Sequence, residues 1–130
     1  MKILVLNGSP GPQGSTSGMI KAFREGAEKA GHEVSVIASP IYYHGVSGQL
    51  KCALDRFYSV AYPTKPKNLR KAAMILSSGD ANMYDGAMFS YQGDFLDFLG
   101  LEDMGVFTAH GGENHSQKML ERLRTFGESL

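Results

Sequence analysis

Four hydroxyl side chains lie close together near the start of the chain, in the stretch NGSPGPQGSTSG. They belong to Ser9, Ser15, Thr16 and Ser17, and a segment with helical periodicity follows them. Hydroxyls, free backbone N–H groups and the positive end of a helix together bind anions, most simply a phosphate. An ordinary N-cap at Ser15 or Thr16 is the competing interpretation, but a cap needs one hydroxyl rather than four. The loop has no Lys or Arg, so a monophosphate suits it better than a triphosphate.

Three well-known phosphate sites do not fit this loop. A Walker A loop has Lys after its last glycine, whereas Ser15 and Thr16 follow Gly14. The G-x-G-x-x-G fingerprint of dinucleotide-binding proteins is absent, because Ser9 and a proline follow Gly8. A cysteine-based phosphatase needs its cysteine in the anion loop, and Cys52 is predicted to be a small core residue on the buried face of a helix.

A second polar and aromatic loop, SPIYYHG, offers Tyr42 and Tyr43 between a proline and a glycine. A flat ring could stack on these side chains while backbone N–H groups reach its polar edge. Paired tyrosines are also common packing residues, so the loop alone is a weak signal. Together with a phosphate loop, an aromatic platform outlines flavin mononucleotide (FMN).

Alternating short apolar runs and longer amphipathic segments predict an α/β fold around a parallel sheet. The predicted strands are 2–6, 33–38, 71–76 and 104–109. The first predicted helix passes through Ile20, Phe23, Ala27 and Ala30 and ends at Gly31. The other predicted helices are 46–58, 86–99 and 116–127. In the helix 46–58, the residues expected on one face are Leu50, Ala53, Leu54 and Phe57. In open parallel sheets ligands bind beyond the carboxyl ends of the strands. The loops expected there are 7–17, 39–45, 77–80 and 110–114.

Composition limits the partners and the compartment. The chain has 130 residues, which suggests one domain over 1–130, and 13 basic residues balance 13 acidic ones. A chain without net charge has no overall electrostatic attraction for nucleic acid or for a charged membrane surface, so we expect neither as a partner. The expected partner is a small molecule. A single cysteine excludes an internal disulfide and a multi-cysteine metal site and fits a reducing compartment, so we expect a cytoplasmic protein. No metal site and no targeting segment are predicted.

The segments NGSPGPQGSTS, SPIYYHGVSGQLKCALDR and SSGDAN together resemble the flavodoxin-like NAD(P)H-dependent FMN reductases, including relatives of the iron–sulfur flavoproteins. The resemblance implies a three-layer fold with a parallel sheet and a bound FMN. The first segment would bind the FMN phosphate, at Ser9, Gly14, Ser15, Thr16 and Ser17. The ring and ribityl chain would border the second segment, at Pro40, Ile41, Tyr42, Tyr43, His44 and Gly45. A third wall would come from Ser78, Gly79 and Asp80.

The reaction implied by the resemblance is hydride transfer from NAD(P)H to the flavin and on to a quinone, a free flavin or another acceptor. The flavin carries that chemistry, so no side chain is assigned as an essential acid or base. His44 and His110 are the candidate proton donors, and each is equally explained as an ordinary loop histidine. Two alternatives stay open: a flavodoxin-type electron carrier, and a truncated, non-catalytic domain that serves as an oligomeric structural module.

The chain departs from this family near residues 37–38. A single strand there resembles the family's second strand at its start and the family's third strand at its end. A loop-helix-strand module is missing, which shortens the sheet to about four strands. If the first helix keeps its usual face, the connection from strand one becomes left-handed, which is strongly disfavoured. Either the helix changes faces, with strand one at a sheet edge, or two chains exchange elements. Both outcomes favour a homodimer or higher oligomer.

Overall fold

A computed structural model of the chain describes residues 5–30, 36–64 and 69–130. Its elements, in chain order, are β1 (Val5–Asn7), α1 (Ser15–Lys29), β2 (Val36–Tyr42), β3 (Gly45–Val46), α2 (Gly48–Ala61), β4 (Lys71–Ser78), α3 (Asp85–Ser90), a π-helix (Tyr91–Phe98), β5 (Glu102–His110), a 3₁₀-helix (Gly111–His115) and α4 (Gln117–Ser129). The predicted order of strands and helices is confirmed. Residues 2–4 and 33–35 of the first two predicted strands lie outside the described residues, as does Gly31, the predicted end of the first helix.

The sheet has the order β1-β2-β4-β5, and neighbouring strands along this path are parallel. The short strand β3 pairs antiparallel with the end of β2. Strand β4 is central, and its residues from Ala72 to Ser78 are all buried. A strand covered on both faces needs such a continuous apolar run, which explains AAMIL in its sequence. The predicted α/β architecture with about four strands is therefore confirmed.

Alternate residues along the strands pack against two separate helical layers. On one face Ala38, Ile75 and Phe107 join a cluster with α1 and α4. On the other face Ile37, Met74 and Leu76 join a cluster with α2, α3 and the π-helix. Because strand side chains alternate between faces, these two clusters define three layers, with the sheet in the middle.

The first crossover has the opposite hand to the other two. The connections from β2 to β4 and from β4 to β5 each move one strand along the sheet through helices on the α2 face. The connection from β1 to β2 moves one strand in the same direction, but α1 lies on the other face. About 98% of such connections are right-handed, so the β1-α1-β2 connection within one chain is the left-handed exception. Strand β1 does lie at the sheet edge, but the expectation that the first helix changes faces is wrong.

Two element boundaries differ from the prediction for local reasons. Val46 was predicted to begin a helix, but it pairs with Ile41 in the β2–β3 hairpin, and α2 begins only at Gly48 after the Ser47 cap. The helix predicted over 86–99 is α-helical only to Ser90 and then continues as a π-helix. Tyr91 and Phe95 of this π-helix are both buried and join the core cluster on the α2 face of the sheet.

Helix α2 buries less of its surface than its periodicity predicts. Leu50 and Ala61 are buried, but Ala53 and Cys52 are exposed, so the predicted core position of Cys52 is wrong. A cavity of about 390 Å³ between α2 and the π-helix, floored by Met74, takes the place of close packing along this helix. Ala30, predicted on the buried face of α1, is exposed as well, because it is the C-cap residue beyond the last turn.

Tyr91 provides a test of this packing. Its hydroxyl oxygen lies 2.9 Å from both the Ala72 carbonyl oxygen and an Asp103 carboxylate oxygen, and donates between them. Burial, and secondly the hydrogen bond to Asp103, raise the pKa of the Tyr91 hydroxyl far above its usual value. The stabilisation is then complete below the unfolded pKa of about 10 and is lost as pH rises beyond it, because only the unfolded chain ionises.

We therefore expect Tyr91→Phe to lower the free energy of unfolding by about 1–2 kcal/mol at neutral pH and to flatten its decline above pH 10. Denaturant unfolding monitored by circular dichroism between pH 7 and 11 measures both effects. Tyr58→Phe is the matched control, since Tyr58 is 58% exposed. An equally steep decline in the wild type and Tyr91→Phe would contradict the assignment.

Candidate functional site

The first loop leaves the N-terminus of α1 open. The N-cap is Gly14, which has no side chain to accept a hydrogen bond, and no acidic residue lies in the first turn. The Ser17 hydroxyl donates to the Gly11 carbonyl at 2.9 Å, and the Ser9 N–H donates to Asn7 Oδ1 at 2.9 Å. These bonds fold the loop back over the helix end. The N-cap interpretation of Ser15 or Thr16 is therefore wrong, and the first-turn N–H groups of α1 have no side-chain cap.

Thr16 differs from the other three hydroxyl residues. It is 2% exposed, and its Oγ1 lies 2.7 Å from the Ser77 hydroxyl oxygen at the end of β4. Ser9, Ser15 and Ser17 are only half-buried. The Thr16 side chain thus ties the first loop to the sheet, while its backbone N–H stays in the first turn of α1.

The second loop is a tight β-hairpin rather than an irregular loop. Tyr42 pairs with Gly45, and the two residues between them, Tyr43 and His44, have φ of 49° and 66°. Positive φ at both central positions fits a two-residue hairpin, but Asn and Gly are the usual residues there. Large side chains at such angles cost about 1–3 kcal/mol each. Tyr43 is 97% exposed in this turn, and the neighbouring Tyr42 is 55% exposed.

Other residues of the second loop contribute mainly backbone. The Ile41 side chain is 5% exposed and belongs to the core cluster on the α2 face, and Pro40 is half-buried. The Ala87 N–H donates to the His44 carbonyl at 3.1 Å, which joins the hairpin to α3. A Cβ at Gly86 would lie 2.6 Å from that carbonyl oxygen, so only glycine allows this approach.

In the third loop the Ser78 side chain is occupied by the protein itself. Its hydroxyl donates to Tyr84 Oη at 2.8 Å, and Tyr84 in turn donates to the Ala109 carbonyl at 2.9 Å. Asp80 accepts a hydrogen bond from the next backbone N–H. Gly79 is exposed, and a Cβ there would meet nothing within 4 Å. Of the three residues predicted to form a wall, Gly79 and Asp80 are therefore exposed, whereas Ser78 is buried.

The fourth loop contains contacts that the sequence did not reveal. His115 Nε2 lies 3.0 Å from the Ser15 hydroxyl, and Asn114 Nδ2 donates to the Ser78 carbonyl at 3.1 Å. His110 Nδ1 lies 3.1 Å from a Glu113 carboxylate oxygen. Asn114 Oδ1 is buried, and the described residues give it no hydrogen-bond partner. The loop was predicted to end at Asn114, one residue before its contact with the first loop.

These contacts bring all four loops to one edge of the sheet. The Ser47 hydroxyl donates to the Gly8 carbonyl at 2.6 Å, which joins the hairpin region to the first loop. The first loop reaches the third at Ser77 and the fourth at His115. The 390 Å³ cavity is separate, since only Val46 of the hairpin lines it. The predicted site residues thus lie at one edge of the sheet, where the side chains of Ile41, Thr16 and Ser78 are buried.

Within residues 5–30, 36–64 and 69–130, no helix has the length and apolar character to cross a membrane. The same ranges contain no cluster of three or more His, Cys, Asp or Glu side chains that could hold a metal ion.

Comparison with known proteins decides the family. The sequence model described as NADPH-dependent FMN reductase matches residues 34–130. The chain belongs to this family. As an NADPH-dependent FMN reductase family member it is an NAD(P)H-dependent flavin oxidoreductase, and the predicted family is confirmed. The match begins just before β2 and includes the second, third and fourth loops, but not the first. No curated protein matches the chain.

Solved structures show the same fold at low sequence identity. An NAD(P)H:quinone oxidoreductase from Methanothermobacter marburgensis is 17% identical, with a TM-score of 0.76, over 99% of this chain and 95% of that one. Smu.1420 from Streptococcus mutans is 14% identical, with a TM-score of 0.77, over 100% of both chains. A flavodoxin from the domain Archaea is 15% identical, with a TM-score of 0.69, over 99% of this chain and 95% of that one. The flavodoxin-like fold of this family member is therefore shown.

Proposed function

We propose that this protein binds FMN across the four loops and transfers hydride from NAD(P)H through it to a quinone, a free flavin or another acceptor. The observation that carries the proposal is the uncapped N-terminus of α1 beside an exposed aromatic hairpin, assembled at one sheet edge. A helix end that keeps its N–H groups unpaired suits a phosphate. The exposed tyrosine rings suit a flat ring system.

Each loop then has a definite role. The first-turn N–H groups of α1, with the hydroxyls of Ser9, Ser15 and Ser17, would hold the phosphate, and His115 would orient Ser15. The backbone around Pro40 and Ile41 and the rings of Tyr42 and Tyr43 would border the ribityl chain and the flavin ring. Gly79 has no side chain to fill the space beside them, so the third loop would form a wall without narrowing the site.

When bound, the flavin supplies the hydride chemistry. The residues of this chain hold and expose the ring. The strained turn presents Tyr43 to solvent, and Phe89 on the neighbouring helix α3 is 81% exposed, so this side of the site is apolar and open. An open apolar surface admits flat donors and acceptors in turn. His44 lies in the turn itself, and the Glu113 partner of His110 holds that imidazole in the fourth loop. We assign no essential acid or base.

The balanced charge favours an enzyme over an electron carrier. Carriers that dock through electrostatic steering use a patch of one sign, whereas this chain carries 13 basic and 13 acidic residues. The site geometry favours an enzyme over a purely structural module, because strain at Tyr43 and His44 would serve no purpose there. One cysteine suits a reducing compartment such as the cytoplasm.

The proposal predicts that the purified chain binds one FMN per site, with quenching of flavin fluorescence. The complex should lose its yellow absorbance within a catalytic timescale when NADPH or NADH is added under anaerobic conditions, and regain it with a quinone. Titration and stopped-flow absorbance measure these steps. No quenching at micromolar protein would refute FMN binding, and bleaching only by dithionite would favour the electron carrier.

A further inference from the structure

We propose that two copies of this chain exchange their N-terminal β1-α1 units, so that each flavin site is built from both chains. The inference starts from the hand of the first crossover. Within one chain the β1-α1-β2 connection is left-handed, while the two following connections have the opposite hand. When the unit docks on a second copy, every contact with the sheet and α4 is kept, but no left-handed connection is needed.

The β1-α1 unit makes close contacts with α4 that only a matching surface can provide. Helix α1 packs against α4 with backbones almost touching: a Cβ on Gly26 would lie 2.0 Å from the Arg124 carbonyl oxygen, and one on Gly127 would lie 2.4 Å from that of Phe23. Arg124 also pairs with Glu25 at 2.9 Å. The β1-α1 unit must therefore dock on a body formed by β2 to α4, in the same chain or in another.

The position of the crossing is set by the topology. Helix α1 returns to the amino edge of the parallel sheet, and β2 starts from that same edge. Two exchanging connections would therefore cross at the amino edge, opposite the flavin loops. Independently, the family match begins at residue 34, between the end of α1 at Lys29 and the start of β2 at Val36. The exchanged unit thus ends, and the body begins, between Lys29 and Val36.

Exchange makes the site composite. The first loop belongs to the exchanged unit, while the hairpin and the third and fourth loops belong to the body. The contacts from Ser15 to His115, from Thr16 to Ser77 and from Ser47 to the Gly8 carbonyl would all run between chains. The phosphate would then be held by one copy and the ring by the other. This consequence rests on the proposed FMN site, whereas the exchange itself does not.

A disulfide trap tests the exchange without any flavin. In a Cys52→Ser background, Thr16→Cys with Ser77→Cys places two thiols where the hydroxyl oxygens are 2.7 Å apart. Oxidation at micromolar concentration should join two chains, giving a non-reduced band at twice the 14.1 kDa of one chain. Complete thiol loss with a band at 14.1 kDa, or a monomeric mass by light scattering, would overturn the exchange.

A surface pair keeps the test independent of core folding. Glu25→Cys with Arg124→Cys, in the same Cys52→Ser background, joins α1 to α4 at an exposed ion pair. The two pairs should give the same band. A dimer band without FMN binding would leave the exchange standing and refute the flavin site. FMN binding together with a single-chain band would refute the exchange and leave the flavin site standing.

Subunit complementation tests the composite site. Ser15→Asp disables the phosphate loop, and Gly79→Trp fills the open space beside the ring loops. When the two variants are unfolded, mixed in equal amounts and refolded together, about a quarter of the sites should combine a native first loop with native ring loops. FMN titration should recover that fraction at wild-type affinity. Binding no greater than that of the variants refolded separately would overturn the composite site.

Discussion

Ser15→Asp is expected to weaken FMN binding by at least about 100-fold while leaving the fold intact. The new carboxylate would stand at the first position of α1, where no acidic residue is present now. A phosphate held a few ångströms away would meet a like charge, and at an effective dielectric of about 20 this repulsion amounts to several kcal/mol. The same carboxylate is favourable for the helix itself, because it interacts with the positive end of the helix dipole.

Ser15→Asn is the matched control, since it has nearly the same size as aspartate and no charge. We expect it to bind FMN within about tenfold of the wild type, because 1.4 kcal/mol corresponds to one such factor. Fluorescence titration gives both affinities, and thermal unfolding without FMN shows whether the variants are folded. Equal FMN affinity for Ser15→Asp and the wild type would place the phosphate elsewhere.

Gly26→Ala is expected to destabilise the protein by at least about 3 kcal/mol, at the upper end of overpacking effects. The added Cβ would lie 2.0 Å from the Arg124 carbonyl oxygen, so backbone would have to move rather than a flexible side chain. Moving α1 from α4 also opens the contacts of Phe23 and Leu123, both fully buried. For a domain of this size the midpoint of thermal unfolding should fall by about 10 °C or more.

Gly18→Ala is the control on the same helix. A Cβ at Gly18 meets nothing within 4 Å, and the residue is exposed. Alanine is the better helix former there, so we expect a gain of about 0.5–1 kcal/mol. Thermal unfolding followed by circular dichroism compares the two variants in one buffer. If Gly26→Ala were as stable as Gly18→Ala, the close contact of α1 and α4 would be wrong.

The sequence predicted best where one physical signal dominated. The continuous apolar run of β4 and the 3.6-residue spacing of Met119, Leu120, Leu123 and Phe126 place these residues correctly in the core or against it. The four loops were predicted correctly as a group, because the carboxyl ends of parallel strands necessarily share an edge. These features depend on periodicity and on strand direction, which local sequence contains.

Errors arose where packing between distant elements decides. Cys52 and Ala53 follow the helical pattern, but no other described element covers this part of α2, and both residues are exposed. The sequence around Val46 is compatible with a helix, but Val46 pairs with Ile41 and therefore belongs to a β-hairpin. The inward turn of Thr16 and the contact of Ser15 with His115 join residues far apart in the chain, and no spacing rule reveals them.

The turn at Tyr43 and His44 also bears on how this protein could be stabilised. Asn-Gly is the favoured pair for such a turn, and a sequence optimised for stability alone would use it. The chain instead carries two side chains in the left-handed region of backbone space. Replacing these two residues by Asn-Gly would therefore raise the free energy of unfolding, and it would also remove the exposed Tyr43 ring on which the proposed flavin site depends.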